Sequence, residues 1–400
     1  MRVLSMSSGR CLLVVGLCLV GWVAMDDGAL AQGCMPATPQ PLAQVLAFET
    51  NASSSVDEAD DELVFQAEST ETDVSIDPAA GASSEADLED LARTRTARDL
   101  QILKARAWSF SASFRYYQSG DSIVGTEQVA EGEVVGDYPS LNLAGTYSFN
   151  DRWNLSVALP IVNPRDEFEH GDGNRYTIGP GVSIGDLRVT GSYWVFDPTR
   201  PRPGNLVLGL GIKAPTGQYE VEATYRTPEG EFVAPADLAV QPGDGGWGVI
   251  LATQGFQALA RRTYFYGDGF YLVNPRDTNG TVTETVLFFF GEPIPLSVPD
   301  YFQVRAGFGY QAWPNHGISL SLGLRLDGIP TEDLVGDSNG YRRPGYNLAI
   351  DPGITVSWGR HIFSLYVPVS IARAQNQSLP EQELDLHFGG SMASEALMLY

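Results

Sequence analysis

Apolar and polar residues alternate along much of the chain after residue 106. The first such segment, residues 108–116, places Trp108, Phe110 and Phe114 on one face and small serines with Arg115 on the other. A period of two is typical of a β-strand, whose successive side chains point to opposite faces. The same alternation recurs over residues 141–148, 153–159, 187–193, 205–213, 302–310, 318–327, 350–358 and 363–371.

Two classes of all-β protein share this alternation. A soluble β-sandwich has it with the apolar face inside, and this stays open as an alternative. Three features favour a membrane barrel: strands of about 9–11 residues, aromatic residues at strand ends, and a polar face made of Ser, Thr, Asn and Gly with few charges. Trp108, Trp153, Trp194, Trp313 and Trp358 are among these terminal aromatics.

The connections between the predicted strands alternate in length. Residues 149–152 and 313–317 are tight, whereas 118–137, 163–177, 218–246 and 327–346 are long, acidic and rich in glycine. Outer-membrane barrels have short turns on one side and long loops on the other. We therefore expect an antiparallel transmembrane outer-membrane β-barrel of about 12 strands, an even number as such barrels prefer.

The N-terminus has the features of a secretory signal peptide over residues 1–31. Arg2 and Arg10 precede a short apolar run, and Ala29-Leu30-Ala31 provides a small-x-small cleavage site. The run is shorter than the roughly 20 residues that a membrane-spanning helix needs, although an uncleaved anchor remains an alternative. Cys34 could carry a lipid, but we read it as an ordinary thiol because Ala31 stands where lipidated cysteines usually have Leu.

The next segment has the composition of a disordered region. It covers residues 32–83 and is acidic, with 13 Asp and Glu and no Lys or Arg between Thr50 and Ala92. Such a sequence buries too little apolar surface to offset its ordering entropy. Ser84-Glu-Ala-Asp87 resembles a capping box and predicts a short helix or linker over 84–105, and the barrel is expected over 106–400.

Composition argues against several classes of function. The net charge of −24 would repel the phosphates of nucleic acids. The chain has three cysteines and four scattered histidines, which provide neither a disulfide framework nor metal-ligand spacing. Gly209-Leu-Gly211 lacks the following helix of a phosphate loop, and no Ser–His pair stands out. We therefore expect no enzyme activity, no cofactor and no metal.

Five basic residues stand on the polar faces of predicted strands: Arg115, Arg188, Lys213, Arg305 and Arg325. A charge facing lipid at mid-depth would cost about 2–4 kcal/mol, so we assign them to the lumen as candidate selectivity residues. One interpretation is that they pair with carboxylates such as Asp186, Asp327 and Asp351. The other is a basic constriction that selects anions, and the acidic segment could then enter this lumen as a mobile plug.

Four strings in fixed order resemble a known family: GDLRVTGSYW at 185–194, LGLGIKAPTG at 208–217, VQPGDGGW at 240–247, and GYRRPGY at 340–346 leading into Asp351-Pro-Gly353. They are similar to the outer-membrane "MetA-pathway of phenol degradation" transporter family. The likeness covers roughly residues 108–378. It implies an outer-membrane barrel labelled a transporter and associated with aromatic-compound catabolism, and it supplies no catalytic residues.

The sequence thus predicts an outer-membrane channel or transporter of a Gram-negative bacterium, for passive or selective uptake of a small solute, with aromatic and hydrophobic molecules as candidates. Its partners would be the lipid bilayer, the solute and the outer-membrane assembly machinery. The alternative is a structural or adhesive barrel without a conducting pore, its lumen filled by side chains. One departure from the family is the weak last strand over residues 387–400, where Tyr400 takes the place of the usual terminal Phe.

Overall fold

A computed structural model describes residues 106–116, 118–124, 127–169, 175–200, 202–227, 230–283, 286–287, 290–358 and 361–375. The predicted signal peptide, the acidic segment, the short helix, Cys34 and the last strand over residues 387–400 lie outside the described residues. Within the described ranges, no helix is long and apolar enough to cross a membrane.

The described chain is almost entirely β-structure. Its strands are β1 (Ala107–Arg115), β2 (Gln118–Val124), β3 (Glu127–Asp137), β4 (Ser140–Ser148), β5 (Trp153–Val162), β6 (Arg165–Glu169), β7 (Arg175–Ile178), β8 (Ser183–Ile184), β9 (Leu187–Trp194), β10 (Gly204–Ala214), β11 (Glu222–Thr227), β12 (Gly230–Pro235), β13 (Gly248–Ala260), β14 (Thr263–Val273), β15 (Tyr301–Trp313), β16 (Ile318–Ile329), β17 (Gly345–Trp358), β18 (His361–Tyr366) and β19 (Val369–Gln375). Short 3-10 turns lie at Leu238–Val240 and Pro314–His316.

Thirteen of these strands form one large antiparallel sheet. Its order is β1-β4-β5-β9-β10-β13-β14-β15-β16-β17-β18, with β8 also paired to β5 and β19 also paired to β17. Each strand pairs with the next main strand along the chain, which is an up-and-down arrangement. The antiparallel all-β class predicted from the alternation is confirmed, while the number of about 12 membrane strands stays a prediction.

One strand of the large sheet is interrupted by a proline. β18 pairs with Gly353–Trp358 of β17, and β19 pairs with Gly345–Ile350 of the same strand. Pro368 stands between the two pieces and has no N–H to donate to the ladder. The pieces together therefore run along β17 as one broken strand.

The two faces of the sheet have an inverted distribution of polarity. On β15, Arg305 is buried while Val304 and Phe308 are more than half exposed. On β16, Arg325 is 1% exposed, whereas Leu322, three residues earlier, is 58% exposed. A soluble β-sandwich buries its apolar face instead. That alternative therefore does not fit the burial pattern.

The long connections lie together at one end of the sheet, because successive connections of an antiparallel up-and-down sheet alternate between its ends. We call this the long-loop end, and its connections run between β1 and β4, β5 and β9, β10 and β13, β14 and β15, and β16 and β17. The tight turns at 149–152, 261–262 and 314–317 lie at the other, short-turn end. The alternation predicted from the sequence is confirmed.

Several predicted loops contain strands. Residues 118–137 and 163–177, predicted as long loops, include β2, β3, β6 and most of β7, which form a separate four-stranded sheet. The loop predicted over 218–246 contains the β11–β12 hairpin. Backbone pairing therefore continues past the segments with a regular apolar alternation, because hydrogen bonding between strands does not require an apolar face.

The long connections also have a core of their own. Leu238, Val286, Leu296 and Tyr341, from three different connections, are buried against one another. Beneath them, inward-facing Ile250, Phe270, Leu272, Tyr301 and Ile329 form an apolar cluster. We call the packed connections 215–247, 274–300 and 330–344 the cap.

Candidate functional site

The inner, polar face of β14 to β17 carries a set of paired charges. Arg305 forms an ion pair with Asp351, and the Nε of Arg325 donates to Oδ1 of Asp327 at 3.0 Å. Strand register places Arg305 directly opposite Arg325 on one side and Asp268 on the other. All five side chains are buried, so each guanidinium has a carboxylate close by in a region of low dielectric.

Tyrosine rings fill the space around Arg305. The guanidinium carbon of Arg305 lies 3.9 Å from the centre of the Tyr366 ring and 5.5 Å from that of Tyr266. Glycines on neighbouring strands provide the room, because a Cβ added to Gly353 would meet the Tyr366 ring and one added to Gly307 would meet the Tyr266 hydroxyl. We call the inner face of β14 to β18 the ion-paired wall.

Lys213 is the centre of a second buried cluster. Its Nζ forms an ion pair with Asp244 and lies 3.8 Å from Oδ2 of Asp186. Asp186 also accepts a hydrogen bond from the backbone N–H of Gly217, and Asp244 accepts one from Gly246. The cluster therefore fastens the connection after β10 and the glycine-rich segment before β13 to the end of the sheet.

The structure places all five candidate basic residues on the buried polar face. Arg305 and Arg325 are brought together, and Lys213 lies opposite Arg188 in the β9–β10 register. Arg115 lies on β1 and is 6% exposed. The carboxylates Asp351, Asp327 and Asp186 stand beside Arg305, Arg325 and Lys213, as the pairing interpretation supposes. A role of these residues in selectivity stays a prediction.

Two buried carboxylates were missed by the sequence reasoning. Asp268 lies on β14, which was not recognised as a strand because aromatic residues occur on both of its faces and glycines interrupt the alternation. Asp244 lies within the string VQPGDGGW, whose glycines and proline gave no indication of burial. With these two, five buried carboxylates stand beside three of the five basic residues: Asp351 and Asp268 by Arg305, Asp327 by Arg325, and Asp186 and Asp244 by Lys213.

Ion pairs also hold the cap together. The guanidinium of Arg342 donates to both carboxylate oxygens of Asp333, at 2.9 and 2.6 Å. Arg343 donates from a single terminal nitrogen to both oxygens of Asp237, which lies in a different connection, at 3.1 and 2.9 Å. The two-nitrogen pair of Arg342 has the fixed bidentate geometry of the stronger charged hydrogen bonds. These ion pairs therefore brace one connection of the cap and join it to a second.

Asp300 links the cap to the start of β15. Its carboxylate accepts hydrogen bonds from the backbone N–H groups of Asn274 and Leu334, both at 2.7 Å. Burial raises the pKa of Asp300 and outweighs these hydrogen bonds, which act in the opposite direction.

A cleft of about 660 Å³ lies at the long-loop end, between residues 179–180 and 217–222.

No arrangement for metal binding is found among the described residues, where no group of three or more His, Cys, Asp or Glu could hold an ion.

Gly209 and Gly211 lie in the middle of β10. A Cβ at Gly211 would meet Thr190 and the backbone of Val189. These glycines therefore permit close packing within the sheet, in agreement with the sequence interpretation that they do not form a phosphate loop.

No protein-family model matches the chain. Three solved structures are among those to which the chain is similar. An outer-membrane channel from Pseudomonas putida has 14% identity over 69% of this chain and 92% of that chain, with a TM-score of 0.41. A FadL homologue from Pseudomonas aeruginosa has 10% identity over 68% and 72%, with a TM-score of 0.33. The CymD monoaromatic hydrocarbon channel has 9% identity over 72% and 90%, with a TM-score of 0.36. TM-scores below 0.5 do not establish a common fold, so no property of these proteins is transferred to this chain.

Proposed function

We propose that this protein is an outer-membrane β-barrel channel of a Gram-negative bacterium that passes a small solute, with aromatic and hydrophobic molecules as candidates, without a chemical step. The observation that carries the proposal is the inverted burial of the large sheet. Leucine, valine and phenylalanine cover its outer face and buried charges its inner face. Such a surface is stable in lipid, where backbone groups must pair within the protein and apolar side chains face the hydrocarbon.

Tryptophans support a membrane position for the sheet. Trp108, Trp153, Trp313 and Trp358 lie at strand ends near the short-turn end, and all four are more than half exposed. Trp247 is equally exposed at the long-loop end, directly before β13. Amphipathic indole rings favour the level of the lipid head groups. The exposed apolar band between these two levels is what a bilayer would cover.

A second candidate function is a structural barrel without a conducting pore. It is favoured by the ion-paired wall, where Arg325, Gln303 and Tyr266 are each no more than 2% exposed. Large inner side chains that are packed this closely fill space that an open pore would leave to water. The two candidate functions differ in whether the rest of the inner face leaves an open path for a solute through the barrel.

The first experiment is to refold the purified chain, to verify that boiled and unboiled samples differ in gel mobility, and to measure conductance in planar bilayers. Discrete conductance steps support the channel. A sample that is heat-modifiable but silent supports the structural barrel. A chain that stays in the aqueous phase after carbonate extraction of membranes contradicts both candidates, because neither exists outside the bilayer.

The family assignment, the cleaved signal peptide and the use of the outer-membrane assembly machinery belong to this proposal. The four motif strings support the family, and residues 1–31 support export. N-terminal sequencing of the mature protein tests cleavage after Ala31. Conductance of a chain that lacks residues 32–103 tests the mobile plug, and unchanged conductance would contradict it.

A further inference from the structure

The inner face of β1, β4, β5 and β9 differs from the ion-paired wall in the size of its side chains. Exposed Trp108 and Phe110 identify the outer face of β1, so the alternate residues face inward. Most of its residues are small, and Arg115 and Arg188 are the large exceptions, both towards the long-loop end. We call the twelve small residues of this face the hydroxyl-amide wall: Ser109, Ser111, Ser113, Asn142, Ala144, Thr146, Ser148, Asn154, Ser156, Ala158, Thr190 and Ser192.

Strand register aligns these residues from one end of the sheet to the other. Ser148 lies opposite Asn154, which lies opposite Ser192, at the short-turn end. Ser113 lies opposite Asn142 nearer the long-loop end. Between these rows, Ser111, Thr146 and Thr190 are of intermediate exposure, whereas most inner side chains of the ion-paired wall are buried, with Ser321 and Ser357 as intermediate exceptions. Accessible space inside the sheet therefore lies mainly along the hydroxyl-amide wall.

Four side chains of this wall are buried and lack a hydrogen-bond partner within the described part of the chain. They are Ser113, Asn142, Ser148 and Asn154, none more than 6% exposed. The atoms without a hydrogen-bond partner are the amide oxygen and amide nitrogen of Asn142, the hydroxyls of the two serines, and Nδ2 of Asn154. By contrast, Thr146 and Ser156 bond each other at 2.7 Å.

Buried amides and hydroxyls are normally hydrogen-bonded, because leaving them unpaired is unfavourable. The four side chains therefore need partners beyond the described residues, and they stand beside the accessible part of the inner face. Asn142 offers two donors and an acceptor, and the serine hydroxyls offer both. A molecule that matches these groups carries hydrogen-bond donors and acceptors of its own.

We propose that the hydroxyl-amide wall is the recognition face of the channel, and that it takes uncharged solutes that both donate and accept hydrogen bonds. This inference rests on the proposed function and names the chemical class of its solute. These four side chains are neutral, and the twelve residues of the wall include no charged group. Arg305, Arg325 and Lys213 are held by carboxylates elsewhere on the inner face, which leaves hydrogen bonding as the means of recognition along this wall.

Two basic residues lie on the same strands, and they suggest the competing possibility that charge governs which solute passes. Arg188 stands opposite Ala158, and Arg115 stands opposite Ser140, both towards the long-loop end. If these guanidinium groups dominated recognition, an anion would pass more readily than an uncharged molecule of the same size. A matched pair of solutes therefore separates the two possibilities.

The test is efflux of radiolabelled arabinose and of its oxidised anion arabinonate from vesicles that contain the full chain. We expect the wild type to release arabinose faster than arabinonate. Replacing both Asn142 and Asn154 by Leu should slow arabinose efflux by about tenfold, because it removes the amides that would replace the hydration of the sugar. Thr355→Val, which removes a buried hydroxyl from β17, is the matched control and should leave both rates unchanged.

Each result has a definite consequence. Faster release of arabinonate by the wild type, or unchanged arabinose efflux in the double Leu variant, overturns the inference while leaving a channel in place. No release of either solute from a wild type that conducts ions in planar bilayers also overturns the inference and leaves the channel in place, whereas a heat-modifiable wild type that is silent in both assays contradicts the proposed function itself. Asn142→Asp keeps the side chain polar if the Leu variant does not fold. It should reduce arabinonate efflux and spare arabinose, and equal loss of both would count against recognition by this wall.

Discussion

The guanidinium of Arg305 stacks on the ring of Tyr366, with 3.9 Å between the guanidinium carbon and the ring centre. The two residues are on strands that are not adjacent in the sheet, since β15 and β18 are separated by β16 and β17. Asp351 of β17 forms the ion pair that completes the arrangement. Side chains from three strands, β15, β17 and β18, therefore meet at one buried charge site.

We expect Arg305→Gln to destabilise the folded protein by about 3 to 5 kcal/mol, because Asp351 would be left as a buried charge with its main partner removed. The measurement is the temperature at which the unboiled form disappears on a gel. The double variant Arg305→Gln with Asp351→Asn should regain most of the loss, because both charges are then absent. A single variant as heat-resistant as the wild type would show that the pair contributes little.

We expect Gly309→Ala to destabilise the fold by about 1 to 3 kcal/mol. The reason is that the ring of Tyr264, on the neighbouring strand β14, occupies the position of the new methyl group. Gly191→Ala is the control, because the nearest atom to its added Cβ is the Leu210 carbonyl oxygen at 3.8 Å. Urea titration of both variants in detergent gives the comparison, and equal midpoints would contradict the packing argument.

We expect Arg343→Met to loosen the cap without unfolding the sheet. The side chain is fully buried, and its ion pair with Asp237 joins the connections before β13 and before β17. Proteolysis within residues 330–344 should become faster by about tenfold or more, because the carboxylate of Asp237, only 13% exposed, then loses its charged partner. Arg200→Met is the control, since Arg200 is 74% exposed at the short-turn end. Unchanged cleavage in the Arg343→Met variant would show that apolar packing alone holds the cap.

The raised pKa of Asp300 predicts a pH dependence of the cap. A carboxyl group with a folded-state pKa above its unfolded value of about 4 favours the folded state in its protonated form. This contribution is fully present below the unfolded pKa and is lost as the pH rises through the raised value. We expect proteolytic cleavage of the cap to become faster as the pH rises from about 4 through the raised pKa of Asp300.

Asp300→Asn should remove this part of the pH dependence, because the amide keeps an acceptor oxygen for the N–H of Asn274 and does not titrate. Asp151→Asn, in the tight turn between β4 and β5, should leave it in place. Cleavage rates of the two variants between pH 4 and neutral pH, relative to a protease control substrate, provide the measurement. An Asp300→Asn variant with the wild-type profile would assign the effect to another group.

Most main strands could be predicted from the sequence, because a regular apolar residue at every second position is compatible with a β-strand and not with a helix. Residues 318–327 are the clearest example, and they form most of β16. β13 and β14 were missed. In β14, Tyr264 and Phe265 place aromatic rings on both faces, and Gly267 and Gly269 remove side chains from one of them. A pattern that is apolar on both sides has no period to detect.

The sequence by itself also determined the location of the charges, because a basic residue in an otherwise apolar alternating strand has only the polar face available. The tertiary structure decided which carboxylate each basic residue meets. Arg305 and Asp351 are 46 residues apart in the chain, and their contact depends on the register of β15, β16 and β17. Register is set by all the cross-strand pairs of the sheet together, and no local pattern contains it. The packing of three long connections into one cap was likewise decided by the tertiary structure, because their apolar residues are scattered among glycines and prolines and become a core only when the strands bring the connections to one end.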